Sequence, residues 1–146
     1  MAKYNIAITG LNAADNPCPG ISVIRSLKQA AGQDVRIIAL AYELLCSTSY
    51  ATDLVDEVYH LPFPQEDEEK YLACLSKIVE KTDIDVFIPN LDFEIPIISR
   101  LEPDLRDLGI KSLLPPESAL DLVKKENLPR LSQLTEIATP YSLPFS

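Results

Sequence analysis

Positively charged residues are scarce in this sequence. Its 146 residues include 13 Lys and Arg against 22 Asp and Glu, which gives a formal net charge of -9. Proteins that bind nucleic acid non-specifically, or that dock on anionic membranes, need a basic surface for the phosphate groups. The charge balance therefore argues against both kinds of partner.

Cysteine, histidine and long apolar runs are scarce as well. There are three cysteines with no C-x-x-C spacing, and His60 is the only histidine. An odd cysteine count without paired spacing argues against a disulfide framework and against a zinc site. No stretch approaches the roughly 20 apolar residues of a membrane span, and the amino terminus leads directly into a strand-like segment instead of a signal peptide. We expect a cytoplasmic protein without a metal site.

Short apolar runs alternate with amphipathic segments along the chain. The predicted strands are 4–9, 35–41, 57–60, 85–89 and 111–114. The predicted helices are 20–31, 66–81, 94–108 with an irregularity at Pro103, 117–125 and 128–137. The segment 42–54 is typical of a short helix or an irregular turn. This alternation predicts an α/β fold with a Rossmann-like parallel sheet of about four to five strands. Helices should cover both faces of the sheet over residues 1–115, and two extra helices should follow in 116–146.

Ligands of such sheets bind at the carboxyl ends of the strands, near a reversal of strand order. This rule selects two loops, 10–20 and 89–94. In the first loop, Gly10 permits a tight exit from the strand, and the amides near Gly20 open a helix that attracts anions. It is neither G-x-G-x-x-G, because Asn12 replaces the middle glycine, nor a P-loop, because no G-K-[ST] follows. A phosphate or carboxylate could lie at that helix start, and the candidate substrate-binding residues of this loop are Gly10, Asn12, Asp15, Asn16 and Gly20.

An alternative for this loop is purely structural. The side chains of Asn12, Asp15 and Asn16 can bond their own backbone in turns, without any ligand. The second loop has the same two interpretations. Asn90, Asp92 and Glu94 could hold a ligand amine or hydroxyl or orient a partner domain, whereas Asp92 or Glu94 would also suit the first turn of the following helix.

No other residue is a strong candidate for chemistry. We expect His60 to have a structural role at the end of a strand. Cys18, in a loop that we expect to be exposed, has no basic neighbour that would activate its thiol. Cys46 and Cys74 are expected in or near the core. No catalytic residue is therefore assigned.

Taken in order, the motifs resemble a known family. T-G stands at 9–10, G-x-x-x-I-R-x-L-K begins at Gly20, D-x-x-I-P-x-x-D-x-E begins at Asp85, and P-E, K and A-T-P follow at 116–117, 125 and 138–140. This order is similar to the pre-ATP-grasp domain of ATP-grasp enzymes, in particular the group of the carbamoyl-phosphate synthase large subunit and biotin carboxylase. Lys124 stands where that family usually has Asp. The resemblance implies a Rossmann-like domain that precedes an ATP-grasp domain.

The resemblance also implies a function. Members of the family activate a carboxylate as an acyl phosphate with ATP and Mg²⁺, and a nucleophile, usually an amine, then attacks. The lysines and the Glu/Asn set that bind ATP and Mg²⁺ lie beyond the matched region, so no cofactor is expected in this chain. Gly10, Asn12 and Gly20 would line the substrate cleft, and Asp92 and Glu94 would contact the substrate. The implied partners are an ATP-grasp domain in cis or in trans, a small-molecule carboxylate and a second copy of the chain.

Two other functions remain open. A stand-alone Rossmann-like module could bind a nucleotide or another small molecule, and the T-G start is mildly typical of short-chain dehydrogenases. That family needs a Tyr-x-x-x-Lys pair, which none of the six tyrosines provides. A non-catalytic receiver-like domain would need clustered acids after the first strand, and Thr9-Gly10 supplies none.

We expect the chain by itself to bind Mg·ATP weakly at best and to hydrolyse none, because it contains no phosphate-binding lysine motif. Isothermal titration calorimetry of the purified chain with Mg·ATP measures this directly. Stoichiometric binding would contradict the expectation.

Overall fold

The computed structural model of the protein describes residues 3–12, 18–46 and 50–140. This part of the chain contains a four-stranded parallel sheet in the order β3-β2-β1-β4. Its strands are β1 (Tyr4–Ile8), β2 (Val35–Ala41), β3 (Glu57–His60) and β4 (Val86–Ile88). The Rossmann-like α/β fold predicted from the sequence is confirmed.

The strand predicted over 111–114 is reduced to one bridge between Lys111 and Val86. Lys111 bonds the backbone of Asp85 and Phe87, at 2.9 Å each. The Ser112 hydroxyl then donates to the Phe87 carbonyl at 3.0 Å, the acceptor that the next ladder bond would use. A side-chain bond is therefore found where the predicted strand would have continued its ladder.

Helices occupy most of the remaining chain. They are α1 (Pro19–Ala31), α2 (Glu68–Thr82), α3 (Ile95–Arg100), α4 (Glu102–Asp107), α5 (Glu117–Leu122) and α6 (Leu128–Thr135). The single helix predicted over 94–108 is divided at Leu101 into α3 and α4. Pro103 has no N–H, and its ring would clash with the carbonyl four residues earlier, so a continuous helix is interrupted there. The predicted irregularity is confirmed.

The chain reverses direction across the sheet. It passes from β1 through α1 to the neighbouring β2 and on to β3, then returns through α2 to β4 on the other side of β1. Because parallel crossovers are right-handed, movements in opposite directions place α1 and α2 on opposite faces. The reversal makes the gap between the ends of β1 and β4 the switch point of the fold.

Both faces of the sheet are buried. On one face, Ile24 of α1 packs in a cluster with Ile6, Ile8, Ile37 and other apolar residues of β1 and β2. Side chains alternate between faces along a strand, so the intervening residues point to the other side. Four of these are also buried, namely Ala7, Ile38, Leu40 and Phe87. This is the near-continuous apolar pattern of parallel strands.

The chain divides into two compact units, Met1–Leu113 and Leu114–Ser146. The first holds the sheet and α1 to α4. The second holds α5, a 3-10 turn over Lys125–Asn127, and α6. None of the described residues of the second unit is buried. Among the residues that the structure covers, no helix combines the length and apolarity that crossing a membrane would take.

The start of α1 packs directly against the end of β1. The Gly20 N–H donates to the Gly10 carbonyl at 3.0 Å, and an ideal Cβ at Gly20 would lie 2.3 Å from the Thr9 carbonyl oxygen. A backbone atom cannot move aside as a flexible side chain can, so only glycine fits at this position. Gly10 has a φ of 74°, and a Cβ there would lie 2.8 Å from Cβ of Asn90.

We expect Gly20→Ala to destabilise the fold by about 3 kcal/mol, because the methyl group overlaps the Thr9 carbonyl. Alanine has a higher helix propensity than glycine, so propensity alone would make the variant more stable. A lower free energy of unfolding would therefore report the clash. Urea unfolding measures it. Ser22→Ala, at an exposed position of the same helix, is the control and should change the free energy of unfolding by less than about 0.5 kcal/mol. A stable Gly20→Ala variant would contradict the close approach.

Candidate functional site

A cavity of about 300 Å³ opens at the carboxyl ends of β1 and β2, beside the switch point. The loops after β1, β2 and β4 contribute to its wall. The described residues that line it are Gly10, Leu11, Asn12, Pro19, Leu40, Ala41, Tyr42, Glu43, Cys46, Phe63, Leu91 and Phe93. The position is the one that the strand-end rule predicts for a ligand site.

A buried carboxylate, that of Glu94, joins the three strand ends and bonds two residues of the cavity lining, Tyr42 and Leu91. Glu94 has no solvent-exposed surface. Its Oε1 accepts hydrogen bonds from the Thr9 hydroxyl after β1 and from the N–H groups of Asn90 and Leu91 after β4, the last two at 2.8 and 3.0 Å. Its Oε2 accepts from the hydroxyl of Tyr42 after β2. These four donors are all neutral.

The Asn90 side chain strengthens the same junction. Its Nδ2 donates to the carbonyls of Thr9 and Ile88, at 3.2 and 2.9 Å, and so bridges the ends of β1 and β4. The Asn90 N–H also lies 3.1 Å from the Thr9 hydroxyl oxygen. Amide and carboxylate together hold the two loops at the switch point in one geometry.

Burial shifts the ionisation of the groups at this junction. Desolvation raises the pKa of Glu94 above its ordinary value, although its four hydrogen bonds act in the opposite direction. Burial, with Tyr71 and Glu94 close by, raises the pKa of Tyr42 far above its usual range. The Tyr71 hydroxyl is buried and meets no hydrogen-bonding partner at normal distance among the described residues, although Tyr42 and Glu94 are near enough to influence its pKa.

Three aromatic rings form one wall of the cavity. Tyr42 stacks on Phe63 with ring centroids 5.0 Å apart and an interplanar angle of 15°. Phe93 is tilted against both rings, at 5.8 Å from Tyr42 and 5.9 Å from Phe63. Phe93 is 39% exposed, so this wall is accessible from solvent. The rings offer apolar faces to a planar or apolar group.

The rim of the cavity carries an acid. The Asn12 side-chain amide donates to Oε2 of Glu43 at 2.6 Å, which connects the loops after β1 and β2. Both residues are exposed. Among the described residues that line the cavity, Glu43 is the only one with a full charge. The local field therefore favours a cationic ligand group over an anionic one.

The structure brings together several of the sequence candidates and separates others. Gly10 and Asn12 line the cavity, whereas Asn90 and Glu94 are bonded to each other outside its described lining. The Gly20 N–H is already bonded to the Gly10 carbonyl. Asp92 is exposed. The two remaining candidates, Asp15 and Asn16, lie outside the described residues, so the anion site expected in that loop stays a prediction.

Glu94 has a role that the sequence interpretation did not foresee. It is the residue before the first turn of α3, yet its side chain makes no capping bond to that helix. Its carboxylate instead accepts from the residues that precede the helix and from two other strand ends. A direct contact between Glu94 and a substrate stays a prediction, and its burial gives it a positioning role.

Sequence reasoning missed the loop after β2. Tyr42 and Glu43 both belong to the segment 42–54, for which no clear element was predicted. The strand-end rule that selected the loops after β1 and β4 applies equally to β2, which was correctly predicted to end at Ala41. The sequence held no comparable signal for Phe63 and Phe93, because both approach the cavity only through tertiary packing.

The expectation that Cys18 is exposed is wrong. Cys18 and Cys46 are both buried, whereas Cys74 is half-buried. The thiols of Cys18 and Cys46 donate to the same carbonyl, that of Leu11, at 3.1 and 2.6 Å. Two different chain segments therefore converge on the loop after β1.

His60 stands at the end of β3, as predicted, with its Nε2 2.9 Å from the Tyr42 carbonyl. The described residues contain no group of three His, Cys, Asp or Glu side chains that could hold a metal ion.

Replacing Glu94 tests the junction. Glu94→Gln keeps an oxygen for Thr9, Asn90 and Leu91, and its amide can donate to the Tyr42 hydroxyl. Glu94→Ala leaves the donors of Thr9, Leu91 and Tyr42 without their acceptor, whereas the Asn90 N–H keeps the Thr9 hydroxyl oxygen. The loss should cost about 3 kcal/mol in the free energy of unfolding. The glutamine variant should stay close to wild type at pH 4 to 5.

The pH dependence has a definite sign. A carboxyl group whose pKa is raised by folding stabilises the native state at low pH, and this contribution is lost as pH rises. Stability of the wild type should therefore fall relative to Glu94→Gln as pH increases above the ordinary value of 4.5. Urea unfolding of both proteins between pH 4 and 8 measures the difference. A pH-independent difference would contradict the raised pKa.

Comparison with known proteins identifies the fold. No protein-family model matches the sequence, and no curated protein matches it by sequence. Among solved structures, an L-amino acid ligase from Bacillus licheniformis has a TM-score of 0.62 at 17% identity, over 96% of this chain and 32% of the ligase. The biotin carboxylase subunit of pyruvate carboxylase has a TM-score of 0.59 at 16% identity, over 94% of this chain and 28% of the subunit.

A structure of UGT2 from Phytolacca americana, complexed with UDP-2-fluoro-glucose and pterostilbene, is also similar. It has a TM-score of 0.51 at 17% identity, over 97% of this chain and 36% of that one. This chain spans less than a third of the carboxylase and ligase structures. At these identities the likeness concerns the fold. The chain thus shares the fold of a segment of the biotin carboxylase and L-amino acid ligase structures.

Proposed function

We propose that this chain is the N-terminal, substrate-side domain of an ATP-grasp ligase that joins a carboxylate to an amine or thiol, or of a carbamoyl-phosphate-synthase-like enzyme. By itself the chain is inactive. The observation that carries the proposal is the extent of the structural match, which covers 96% of this chain but only 32% of the ligase. A domain with this fold that accounts for about a third of a ligase is suited to contribute one wall of its substrate cleft.

The position of the cavity supports this role. It lies at the carboxyl ends of β1 and β2, where three loops are held by the Glu94 carboxylate. A fixed set of loops can present a substrate to a partner domain without the entropy cost of ordering mobile segments. ATP and Mg²⁺ would be bound by the ATP-grasp domain, in cis or in trans. Catalysis would take place in a cytoplasmic enzyme, with a homodimer as a further expectation.

The second unit supplies surface for such a partner. Val123, Leu134 and Ile137 are 59%, 63% and 67% exposed. Helix α6 is amphipathic, and an amphipathic helix that buries none of its residues gains little stability in water. Contact with an ATP-grasp domain would cover this apolar surface.

A stand-alone binding module is the second candidate. The observation that favours it is the cavity itself, because all of its described lining residues belong to the first unit. The likeness to the UGT2 structure, which holds a sugar nucleotide, is compatible with this role. Tight binding of a nucleotide by this chain alone would favour the module over the ligase.

The ligase proposal is tested by acyl-phosphate trapping. The experiment expresses this chain together with an ATP-grasp domain, sought in the reading frame after the codon for Ser146 and in neighbouring genes. With Mg·ATP, a pool of carboxylic acids and hydroxylamine, we expect ADP release and hydroxamate formation, because hydroxylamine intercepts acyl phosphates.

The matched controls are the partner without this chain, this chain without the partner, and the full reaction in EDTA. Each of the three should be inactive. ADP release that does not depend on this chain would contradict its role in the substrate cleft. If hydroxamate also formed without this chain, the whole reaction would be assigned to the partner.

A further inference from the structure

We propose that the cavity binds the amine substrate, and that it selects a primary amine with an aromatic or bulky apolar body. This inference rests on the proposed ligase function and specifies which of the two substrates this domain holds. The class of ligand follows from the shape and charge of the cavity, and each feature makes a separate demand on the ligand.

The walls of the cavity favour a ligand with an apolar body. Of the described lining residues, most are aliphatic or aromatic, and the rings of Tyr42, Phe63 and Phe93 form one continuous surface. A cavity of about 300 Å³ is large enough for a single ring with a short side chain. Because Tyr42 is anchored through its hydroxyl to the buried Glu94, its ring is already oriented before a ligand arrives.

The rim of the cavity favours a ligand with a positive charge. Oε2 of Glu43 accepts from Asn12 at 2.6 Å, and its other oxygen, Oε1, meets no partner among the described residues. An ammonium group at the rim could donate to Oε1 and would lie near aromatic faces that also attract cations. No Lys or Arg occurs among the described lining residues, so a carboxylate or phosphate would face only the like charge of Glu43.

This charge pattern separates the two substrates of the proposed reaction. The carboxylate that becomes an acyl phosphate needs cations around it, and those would come from the ATP-grasp domain. The amine needs an acceptor and an apolar pocket, and this cavity provides both. The amine would be held with its nitrogen at the rim, which is the side from which a partner domain could present the acyl phosphate.

The inference is tested with three probes that vary the charge and the ring separately. 2-Phenylethylamine, 3-phenylpropionate and n-butylamine represent an aromatic cation, an aromatic anion and a small aliphatic cation. Titration of the ¹⁵N-labelled chain, followed by two-dimensional NMR, gives the dissociation constant and the affected amides for each probe. We expect 2-phenylethylamine to bind most tightly and to shift the amides of Leu11, Glu43 and Leu91. The anion should bind at least about tenfold more weakly, as expected for loss of one attractive charge contact and gain of a repulsive one.

Two variants assign the effect to the cavity. Glu43→Gln removes the rim charge at an exposed position and should weaken 2-phenylethylamine binding by about threefold to fivefold. Phe63→Leu removes a ring from the wall and should weaken it by about fivefold or more. Glu69→Gln makes the same charge change at an exposed position of α2 and should leave binding unchanged.

Several results would overturn the inference. These are equal or tighter binding of 3-phenylpropionate, unchanged binding in Glu43→Gln, or shifts confined to amides away from the cavity. Failure of the amine site can be distinguished from failure of the ligase proposal. Selective amine binding without ADP release in the reconstituted reaction would support the amine site and count against the ligase. Carboxylate-dependent ADP release with no selective amine binding would support the ligase and refute the amine site.

Discussion

The site depends on one buried carboxylate. Glu94 lies at the switch point of the sheet and accepts hydrogen bonds from residues after β1, β2 and β4. A charge or polar group in such a place is tolerated only if its bonds are made. The donors also need an acceptor, and Glu94 provides it for Thr9, Asn90, Leu91 and Tyr42. Three loops are thereby locked into one arrangement.

The rest of the site follows from that arrangement. Glycine at positions 10 and 20 lets the loop after β1 approach Asn90 and the start of α1 approach β1. The Tyr42 ring, anchored by its hydroxyl, forms a fixed surface on which Phe63 and Phe93 pack. The cavity is therefore preorganised by the bonds of Glu94 to its lining residues, and its ligand would meet walls that do not need to be ordered on binding.

The chemistry of the cavity complements the chemistry that an ATP-dependent ligase needs elsewhere. Phosphates and carboxylates require cations, hydrogen-bond donors or helix N-termini. The described lining offers one acid and several rings, and the amide of Gly20 at the start of α1 is already used within the backbone. The division of work that we propose, with an ATP-binding partner on one side and recognition of an apolar, cationic ligand on this side, would account for both facts.

The sequence by itself determined the order of elements and the two loops at the switch point. The strands Val35–Ala41 and Glu57–His60 have the bounds that were predicted for them. A strand of this kind is visible in the sequence because its apolar pattern lies within a few consecutive residues. Pro103 marked the break between α3 and α4 because its missing N–H and its ring act on the turn next to it. Tertiary structure alone decided that the Ser112 hydroxyl bonds the Phe87 carbonyl, that Cys18 is buried, and that Tyr42, Phe63 and Phe93 meet. Those outcomes depend on contacts between side chains that are far apart in the sequence. No local pattern encodes which distant residues become neighbours.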